Sequence, residues 1–341
     1  MDKYSAAIIG MDLGDRRSEL CAMNSAREVI WRQSVKMGRE DVREFFETVE
    51  PTLVVIEAGT HSMWVSELLK SLGHEVIVAN PRQLRLVSGS YKKNDKNDAE
   101  ILARVGLADP ELLSPITHRR LEDHADLVFV LNRCALVESR TKLVNTVRGM
   151  VKAFGYRLKS CSAESFHKLE TEVPEVLREQ MATLFSCIGR LSVVIKELDK
   201  KIELLCDKKY PETERFRQIR GVGPVTALVF ALVIEDPSRF GDSRQVGAYL
   251  GLVPRQDQSG TKDRRLRITK AGHTYLRSLL VQCAHYILGC HGEDCDLRDF
   301  GLRLFERGGK YAKAIATVAV AASTAQTTVH DPVPSTRAPA T

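Results

Sequence analysis

Four carboxylates in the first hundred residues have the spacing of a metal-dependent catalytic site. Asp12 follows the apolar run 6–11, and Glu57 follows a second apolar run at 53–56. Asp95 and Asp98 lie three residues apart, which places both on one face of a helix. Carboxylates that converge on one point repel one another unless cations neutralise them, and oxygen ligands suit Mg²⁺ or Mn²⁺. Two such ions about 4 Å apart favour phosphoryl transfer on a nucleic acid, which is the chemistry that this set predicts.

A serine in a strongly basic stretch is the second candidate for chemistry. Ser259 precedes a glycine, so the chain at this point is exposed and conformationally free. Seven basic residues fall between positions 254 and 277, against Asp257 and Asp263 only; they are Arg255, Lys262, Arg264, Arg265, Arg267, Lys270 and Arg277. Spacing alone favours a solvated basic loop that holds a nucleic-acid backbone, because no general base adjoins the serine.

The elements that must position the carboxylates follow the order of a ribonuclease H-like α/β domain. Strand patterns at 6–11, 19–23 and 29–35 read as an antiparallel meander. A helix at 40–48, a strand at 53–56, a helix at 63–72, a strand at 76–78 and a helix at 95–105 follow. In such a sheet the strands of Asp12 and Glu57 are neighbours, so both carboxylates emerge at one edge. We place this domain at residues 1–112.

The middle segment, residues 113–212, predicts two long helices that form a coiled-coil arm or pair with another subunit. The second helix carries an apolar residue every three or four positions, a heptad pattern that indicates a partner helix and no chemistry. Its members are Met181, Leu184, Ile188, Leu191, Ile195, Leu198, Ile202 and Leu205. The first helix is expected at 120–154, with Gly155 and Pro174 bracketing the connection. The exposed apolar seam predicts a homodimer or a higher oligomer.

The third segment, residues 213–322, predicts a helical domain that carries the positive charge. Gly221 and Gly223 form a tight turn before the apolar helix 225–234, as in a helix-hairpin-helix element. Bare amides at a helix N-terminus can bind a DNA phosphate, although a turn without a ligand is an equal interpretation of this short motif. The tail 323–341 is rich in Thr, Pro, Ala and Ser and is expected to be disordered.

Length and composition predict two or three domains and a cytoplasmic location. It has 341 residues and a net charge of +6, which is mild overall and concentrated locally. No apolar stretch is long enough for a membrane span, and the first residues lack a signal-peptide pattern. The eight cysteines form no Cys-x-x-Cys pair, which indicates a reducing compartment. Cys290, His291 and Cys295 lack a second ligand pair, so an incidental cluster is favoured over a zinc site.

Two blocks of the sequence resemble bacterial insertion-sequence transposases of the DEDD type, the insertion sequence one-hundred-and-ten family. The N-terminal block comprises the segments 10–12, 55–59, 80–83 and 95–99, which are similar to the RuvC-like domain of the family. The C-terminal block comprises 219–224, 240–254, 259–260 and 270–277, which are similar to its second domain. The blocks occur in the family's order and cover nearly the whole chain.

The resemblance implies roles that spacing does not show. Asp12, Glu57, Asp95 and Asp98 would hold Mg²⁺ at the scissile phosphate, and Ser259 would form a covalent phosphoserine link to DNA. A structured guide RNA and DNA would be the partners, with the RuvC-like domain of one subunit set against the serine domain of another. Family members often have two serines before the glycine, and here the first position is Gln258.

Two alternatives remain open on the residues themselves. A RuvC-like junction endonuclease would use the same carboxylates with water as the nucleophile and would need no serine. A nucleic-acid-binding scaffold would retain the basic surface without catalysis. The segment 10–14 also resembles the first phosphate loop of actin-like kinases, but that interpretation requires later glycine-rich nucleotide motifs and leaves Asp95 and Asp98 unexplained.

Overall fold

The computed structural model describes residues 6–81, 95–259 and 262–327, and of residues 95, 96, 257–259 and 262–265 it describes the backbone alone. The described chain forms two compact units that divide between His118 and Arg119. No helix in the described ranges has the length and apolarity that crossing a membrane requires.

The first unit is a mixed five-stranded sheet with helices on both faces. Its elements are β1 (Ile8–Asp12), β2 (Arg17–Met23), β3 (Val29–Lys36), α1 (Arg39–Glu47), β4 (Leu53–Glu57), α2 (Ser62–Ser71), β5 (Glu75–Ala79) and α3 (Asp95–Ala108). The strand order is β3-β2-β1-β4-β5. The β1-β2 and β2-β3 pairs are antiparallel, whereas β1-β4 and β4-β5 are parallel. This architecture is consistent with a ribonuclease H-like domain.

Alternation along the strands separates two apolar layers in this unit. Ile9, Met11, Val54 and Ile56 face one side, where they pack against α1 and α2. Residues one position away face the other side, where Ile8 and Val55 pack against Ala99, Leu102 and Ala103 of α3. Because side chains alternate along a strand, the face that a residue takes is fixed by this register.

The second unit is mainly helical. It contains α4 (Leu121–Ala153), α5 (Glu175–Lys208), α6 (Thr213–Arg217), α7 (Pro224–Ile234), α8 (Ser243–Tyr249), β6 (Pro254–Ser259), β7 (Lys262–Ile268), α9 (Thr274–Leu288), α10 (Asp296–Glu306) and α11 (Ala312–Thr327). Its principal core joins the start of α4 and the end of α5 to α7, α9 and α11. The residues expected to form a separate arm therefore share a core with the residues expected to form the third domain.

The two long helices pair with each other and run antiparallel. Arg133 Nε donates to Asp199 Oδ1 at 2.8 Å, and Arg140 Nη1 donates to Ser192 Oγ at 3.1 Å. Near the start of α4, the hydroxyl of Tyr210, which follows α5, donates to Asp123 Oδ1 at 2.7 Å. Residue numbers that rise on one helix while they fall on the other define this direction.

The heptad pattern identified only part of the buried face of α5. Met181, Ile188, Ile195 and Ile202 are buried, as is Leu198. Leu184, Leu191 and Leu205 are half-exposed instead, and the buried positions beside them are taken by Phe185, Ser192 and Cys206. A straight helix has 3.6 residues per turn, so its buried face drifts by about 20° per heptad from a strict seven-residue repeat.

Two further expectations for the second unit differ from the structure. The third segment is helical except for β6 and β7, which form an antiparallel hairpin. Helix α11 extends past residue 322 to Thr327, because Thr324 and Ala325 are fully buried in the core. The remainder of the expected disordered tail, residues 328–341, lies outside the described residues.

Candidate active site

The ends of β1 and β4 bring Asp12 and Glu57 to neighbouring positions. The two strands are parallel with Met11 opposite Ile56, so the next residue on each strand is a carboxylate at the same edge of the sheet. Both residues lie in phase with Ile8 and Val55, which places them on the α3 face. Both are half-buried, and each interacts with a neighbouring group. The prediction that the two strands are neighbours is confirmed.

Helix α3 carries the other two predicted carboxylates and lies directly on β1. A Cβ at Gly10 would be 2.6 Å from the backbone nitrogen of Ala103 and closer still to the carbonyl oxygen of Ala99. Only a residue without a side chain permits this approach of helix to strand. Asp98 precedes Ala99 and is half-buried. Asp95 begins the helix, and its side chain lies outside the described part of the structure.

An arginine-carboxylate cluster fixes α3 to the sheet beside Asp98. Glu100 accepts hydrogen bonds from Arg32 on β3 and, at 2.7 Å, from Arg104 on α3. Burial acts to raise the pKa of Glu100, but the hydrogen bonds from Arg104 and Arg32 outweigh it and hold the pKa below its usual range. The ionised Glu100 therefore connects strand and helix across the α3 face. Sequence analysis did not identify this cluster.

A fifth carboxylate, Glu19, belongs to the same edge of the sheet. It is the antiparallel partner of Asp12 in the β1-β2 register, and it is half-buried. Residues directly opposite on paired strands point to the same face. The predicted second strand begins at Glu19 and follows the first strand after a short turn. Pairing the two strands across this turn would have placed Glu19 opposite Asp12.

The chemistry of this set fits a hard divalent cation. Asp12 and Glu57 lie at neighbouring strand ends on the face covered by α3, which carries Asp98, and carboxylate oxygens of this kind bind Mg²⁺ or Mn²⁺. Among the residues whose side chains are described, no three of His, Cys, Asp or Glu are close enough together to hold an ion. That statement covers Asp12, Glu19, Glu57 and Asp98 as well as Cys290, His291 and Cys295, and it leaves out the side chain of Asp95.

Ser259 is the last residue of β6, at the tip of the two-stranded hairpin. It pairs with Lys262, the first residue of β7, and only Gly260 and Thr261 connect the strands. The sequence had predicted a basic loop in a helical domain. A two-residue link that begins with glycine is the weak sequence signal for this hairpin, because the residues before it are polar and do not alternate.

The base of this hairpin is a close crossing of two chain segments. Gly251 and Gly272 both have positive φ, at 69° and 72°, and a Cβ at either position would collide with backbone atoms of the other segment. Thr269 N donates to Val253 O at 2.9 Å, and Lys270 N donates to Gly251 O at 3.1 Å. The hairpin is therefore held firmly at its base while Ser259 lies at the opposite end.

Arg277 fastens this crossing to α9. Its Nη1 donates to Ala271 O at 2.6 Å and to Leu250 O at 3.1 Å, which joins the two segments. The side chain is buried, with 9% of its surface exposed. Arg277 ends the basic stretch without being one of its predicted nucleic-acid ligands, and its guanidinium is committed to buried carbonyls rather than available to a phosphate.

The remaining predicted nucleic-acid ligands fall into two groups. Arg255, Arg267 and Lys270 are exposed on or beside the hairpin. Lys262, Arg264 and Arg265 lie on β7, where their side chains are outside the described part of the structure. In the backbone register Arg264 and Arg265 oppose Asp257 and Gln256.

The Gly221–Gly223 turn enters α7 as the sequence predicted. Gly223 is the N-terminal cap, and Pro224 occupies the first turn of the helix. A Cβ at Gly223 would meet no atom within 4 Å, whereas a Cβ at Gly221 would lie 3.0 Å from Tyr286 of α9. The short helix α6 precedes the turn and contacts α7.

Comparisons with known proteins match both halves of the chain. Residues 9–155 match the family DEDD_Tnp_IS110, described as a transposase, and residues 213–295 match the "Transposase IS116/IS110/IS902 family". A "Probable family 20 transposase" of Pseudomonas aeruginosa is 30% identical over 90% of this chain and 92% of its own length. The "Transposase for insertion sequence element IS1111A" of Coxiella burnetii is 29% identical over 91% and 85%. A "Pilin gene-inverting protein" of Moraxella lacunata is 26% identical over 77% and 75%.

The two family matches cover the segment that holds Asp12, Glu57, Asp95 and Asp98 and the segment that holds the hairpin. The DEDD transposase family depends in general on divalent metal ions, and transposases bind DNA. The chain belongs to the IS110/IS116 family of DEDD-type transposases, and it is a DNA transposase of the recombinase kind.

Proposed function

We propose that this transposase cuts and rejoins DNA with two groups of residues, the metal-binding carboxylates Asp12, Glu57, Asp95 and Asp98, and the nucleophile Ser259. The observation that carries the proposal is the placement of Asp12 and Glu57 on adjacent parallel strand ends, on the face that α3 covers with Asp98. Carboxylates at the end of a strand do not contribute to an apolar core. Carboxylates that lie close together repel one another, and a bound cation would remove that repulsion.

Mg²⁺ or Mn²⁺ bound by these carboxylates would supply Lewis-acid stabilisation of charge on the phosphate oxygens. Residues of the chain would determine where the ion binds. Asp12 and Glu57 present oxygens from the rigid sheet, and the Arg32-Glu100-Arg104 cluster holds α3, hence Asp98, against that sheet. Glu19 adds negative charge directly opposite Asp12.

Ser259 would attack the scissile phosphorus through its Oγ. The new bond joins Oγ to phosphorus, the bond between phosphorus and one bridging oxygen breaks, and the proton lost by the serine is balanced by the proton that the leaving strand gains. The DNA end is then held as a phosphoserine diester, so it can be passed to another strand and resealed without ATP. Ser259 stands at the end of β6 in the backbone register, and the Arg277 crossing fixes the base of this hairpin.

The basic residues of the hairpin region would hold the DNA and a structured guide RNA. Arg255, Arg267 and Lys270 are exposed there, and phosphate contacts position a strand without reading its sequence. The turn at Gly221 and Gly223 would hold a further phosphate at the start of α7, where Gly223 is the N-terminal cap. Change of Arg264, Arg265 and Arg267 to alanine should flatten the salt dependence of nucleic-acid binding, because fewer counterions are released.

A homodimer or higher oligomer would complete the active site by setting the carboxylates of one subunit against the serine of another. The assembly should be tested at exposed residues of α5 and not at the buried residues of the heptad pattern. Ile188 and Ile195 are buried within the chain itself, whereas Val193 and Val194 on α5 are 60% and 42% exposed. Light scattering with and without nucleic acid, on the wild type and a Val193→Glu variant, tests the assembly. A monomer under both conditions would contradict it.

The principal alternative is a RuvC-like metal-dependent endonuclease that uses water. It is favoured by the sheet architecture and the carboxylates, which suffice for hydrolysis. A scaffold without catalysis is the weaker alternative, because the residues of the carboxylate set are all present. The relative named for pilin gene inversion supports strand exchange over simple hydrolysis for this chain.

A denaturing gel with end-labelled DNA and RNA transcribed from the flanking DNA of the gene separates these functions. The wild type with Mg²⁺ should give a shifted, protease-sensitive adduct, which EDTA abolishes. Asp98→Asn should remove cleavage and adduct together, and Ser259→Ala should remove both without loss of DNA binding. Ser278→Ala, an exposed serine of the same unit, is the matched control. Cleavage without an adduct in Ser259→Ala would identify a water-using nuclease, and adduct formation without the RNA would exclude the guide.

A further inference from the structure

A groove lies between α9 and α11 of the second unit, and its lining includes none of the predicted catalytic residues. Its volume is about 400 Å³, which is in the range of small-molecule and nucleotide sites. The lining residues are Val281, His285, Lys310, Tyr311, Lys313, Ala314, Thr317 and Val318. These residues include aliphatic, aromatic and basic side chains and no carboxylate.

The groove has an apolar floor and an aromatic wall. Val281 and Val318 are half-buried on facing helices, and the ring of Tyr311 is 63% exposed at the rim. A large aromatic ring left open to water beside an aliphatic surface offers a flat partner to another ring. Stacking of a base on an aromatic side chain is the usual way in which proteins hold unpaired nucleotides.

The rim carries positive charge that no described residue neutralises. Lys310 and Lys313 are exposed, and neither forms an ion pair with a residue in the described part of the chain. Lys310 Nζ lies 5.7 Å from the centre of the Tyr311 ring, at the edge of the same surface. By contrast, Arg217 of this unit is paired with Asp207 at 3.3 Å. The rim lysines are therefore available for a phosphate.

A second exposed aromatic ring follows the groove residue His285 on α9. His285 lines the groove, and the next residue, Tyr286, lies beside Gly221 of the turn before α7. Tyr286 is 49% exposed, so α9 carries an aromatic ring open to water next to this turn as well.

We propose that this groove binds an unpaired nucleotide of single-stranded DNA, with the base on Tyr311 and the aliphatic floor and the phosphate on Lys310 and Lys313. A single strand is required because bases paired in a duplex are stacked and cannot enter the groove. Recombination exposes such strands when DNA is cut and exchanged. The inference rests on the activity of the family on DNA, and it is independent of the roles assigned to Ser259 and the carboxylates.

The test is fluorescence anisotropy of the full chain with a labelled 15-nucleotide oligo-dT, a 15-base-pair duplex and a 15-nucleotide oligo-rU. Tyr311→Ala should weaken oligo-dT binding about tenfold and leave duplex binding unchanged, because stacking on one side chain is lost. Tyr311→Phe keeps the ring and should retain wild-type affinity. The double variant Lys310→Ala, Lys313→Ala should reduce the salt slope for oligo-dT by about 1.4, the value for two phosphate contacts on a single strand.

The double variant Lys200→Ala, Lys201→Ala on α5 makes the same charge change at exposed positions outside the groove and is the matched control. Equal losses for both double variants would overturn the proposal, as would an equal loss of duplex and single-strand binding in Tyr311→Ala. Wild-type affinity for oligo-dT in Tyr311→Ala would also overturn it. A loss confined to oligo-rU would assign the groove to RNA instead, and a change of mass in light scattering would assign it to a second copy of the chain.

Discussion

The contact between Gly10 and α3 makes a single methyl group a sharp test of how the carboxylates are positioned. In Gly10→Ala the new Cβ would lie 2.6 Å from Ala103 N and nearer still to Ala99 O, whereas ordinary contact begins at 3.4 Å. The atoms it meets belong to the helix backbone and cannot rotate away. Helix and strand must therefore separate by about 0.8 Å or more, the difference between those two distances.

This separation acts on both stability and activity. Overpacking of a well-packed core costs about 1–3 kcal/mol, so we expect the free energy of unfolding to fall by that amount. Asp98 precedes Ala99, so it moves with the helix, while Asp12 stays with the strand. A misplacement of about 1 Å between catalytic groups lowers the rate by about 100-fold, and we expect a loss of this order in Mg²⁺-dependent strand cleavage.

The measurements are chemical denaturation and single-turnover cleavage at saturating DNA. Gly149→Ala is the matched control, because a Cβ at Gly149 within α4 would meet no atom within 4 Å. It should keep full activity and gain up to about 1 kcal/mol of stability from the higher helix propensity of alanine. Wild-type stability and cleavage in Gly10→Ala would refute the close packing of α3 on β1 and the positioning role derived from it.

Other predictions follow from buried polar groups. Arg277→Ala should destabilise the second unit by about 3 kcal/mol, because two backbone carbonyls lose a charged donor. The salt dependence of DNA binding should stay unchanged in this variant. A weaker salt dependence would show that Arg277 contacts DNA. His74 is buried and accepts from Thr52 N at 3.2 Å, and burial lowers its pKa despite its hydrogen bonds to Phe46 and Thr52. The folded state therefore favours the neutral imidazole of His74. The contribution of His74 to the free energy of unfolding should be constant above the ordinary pKa of 6.5 and fall by up to about 1.4 kcal/mol per pH unit below it. The lowered pKa of Glu100 affects stability only below pH 4.5. Thermal unfolding of wild type and His74→Gln between pH 5 and 8 measures this, and equal slopes would contradict it. Ile188→Asp buries a charge and should lower the free energy of unfolding by about 4 kcal/mol. Val193→Asp, at an exposed site, should change it by less than about 0.5 kcal/mol. Similar losses of stability in the two variants would show that the α4-α5 pairing is misassigned.

The sequence by itself determined the strands and helices of the first unit and the edge at which two of its carboxylates meet. Alternation of apolar residues is a local property, so the strands that end at Asp12 and Glu57 could be recognised without knowledge of their neighbours. The order of elements then limits the sheet to few topologies, because crossovers between parallel strands follow one hand. Membership of the transposase family was recognised from the same segments together with those of the second domain, and the matches to both halves confirm it.

Other features were decided only by tertiary structure, because they depend on contacts between segments far apart in the chain. Nothing local to Arg277 distinguishes it from the exposed Arg267, yet one guanidinium is buried on two carbonyls and the other faces water. Ser192 interrupts the apolar pattern of α5 but is buried, since a straight helix turns its face away from a strict heptad and Arg140 supplies a donor. The close approach at Gly10 likewise exists only because α3 returns to β1 after ninety residues or so of intervening chain. Side-chain pattern specifies each element, and the packing of distant elements decides which polar groups remain available for DNA.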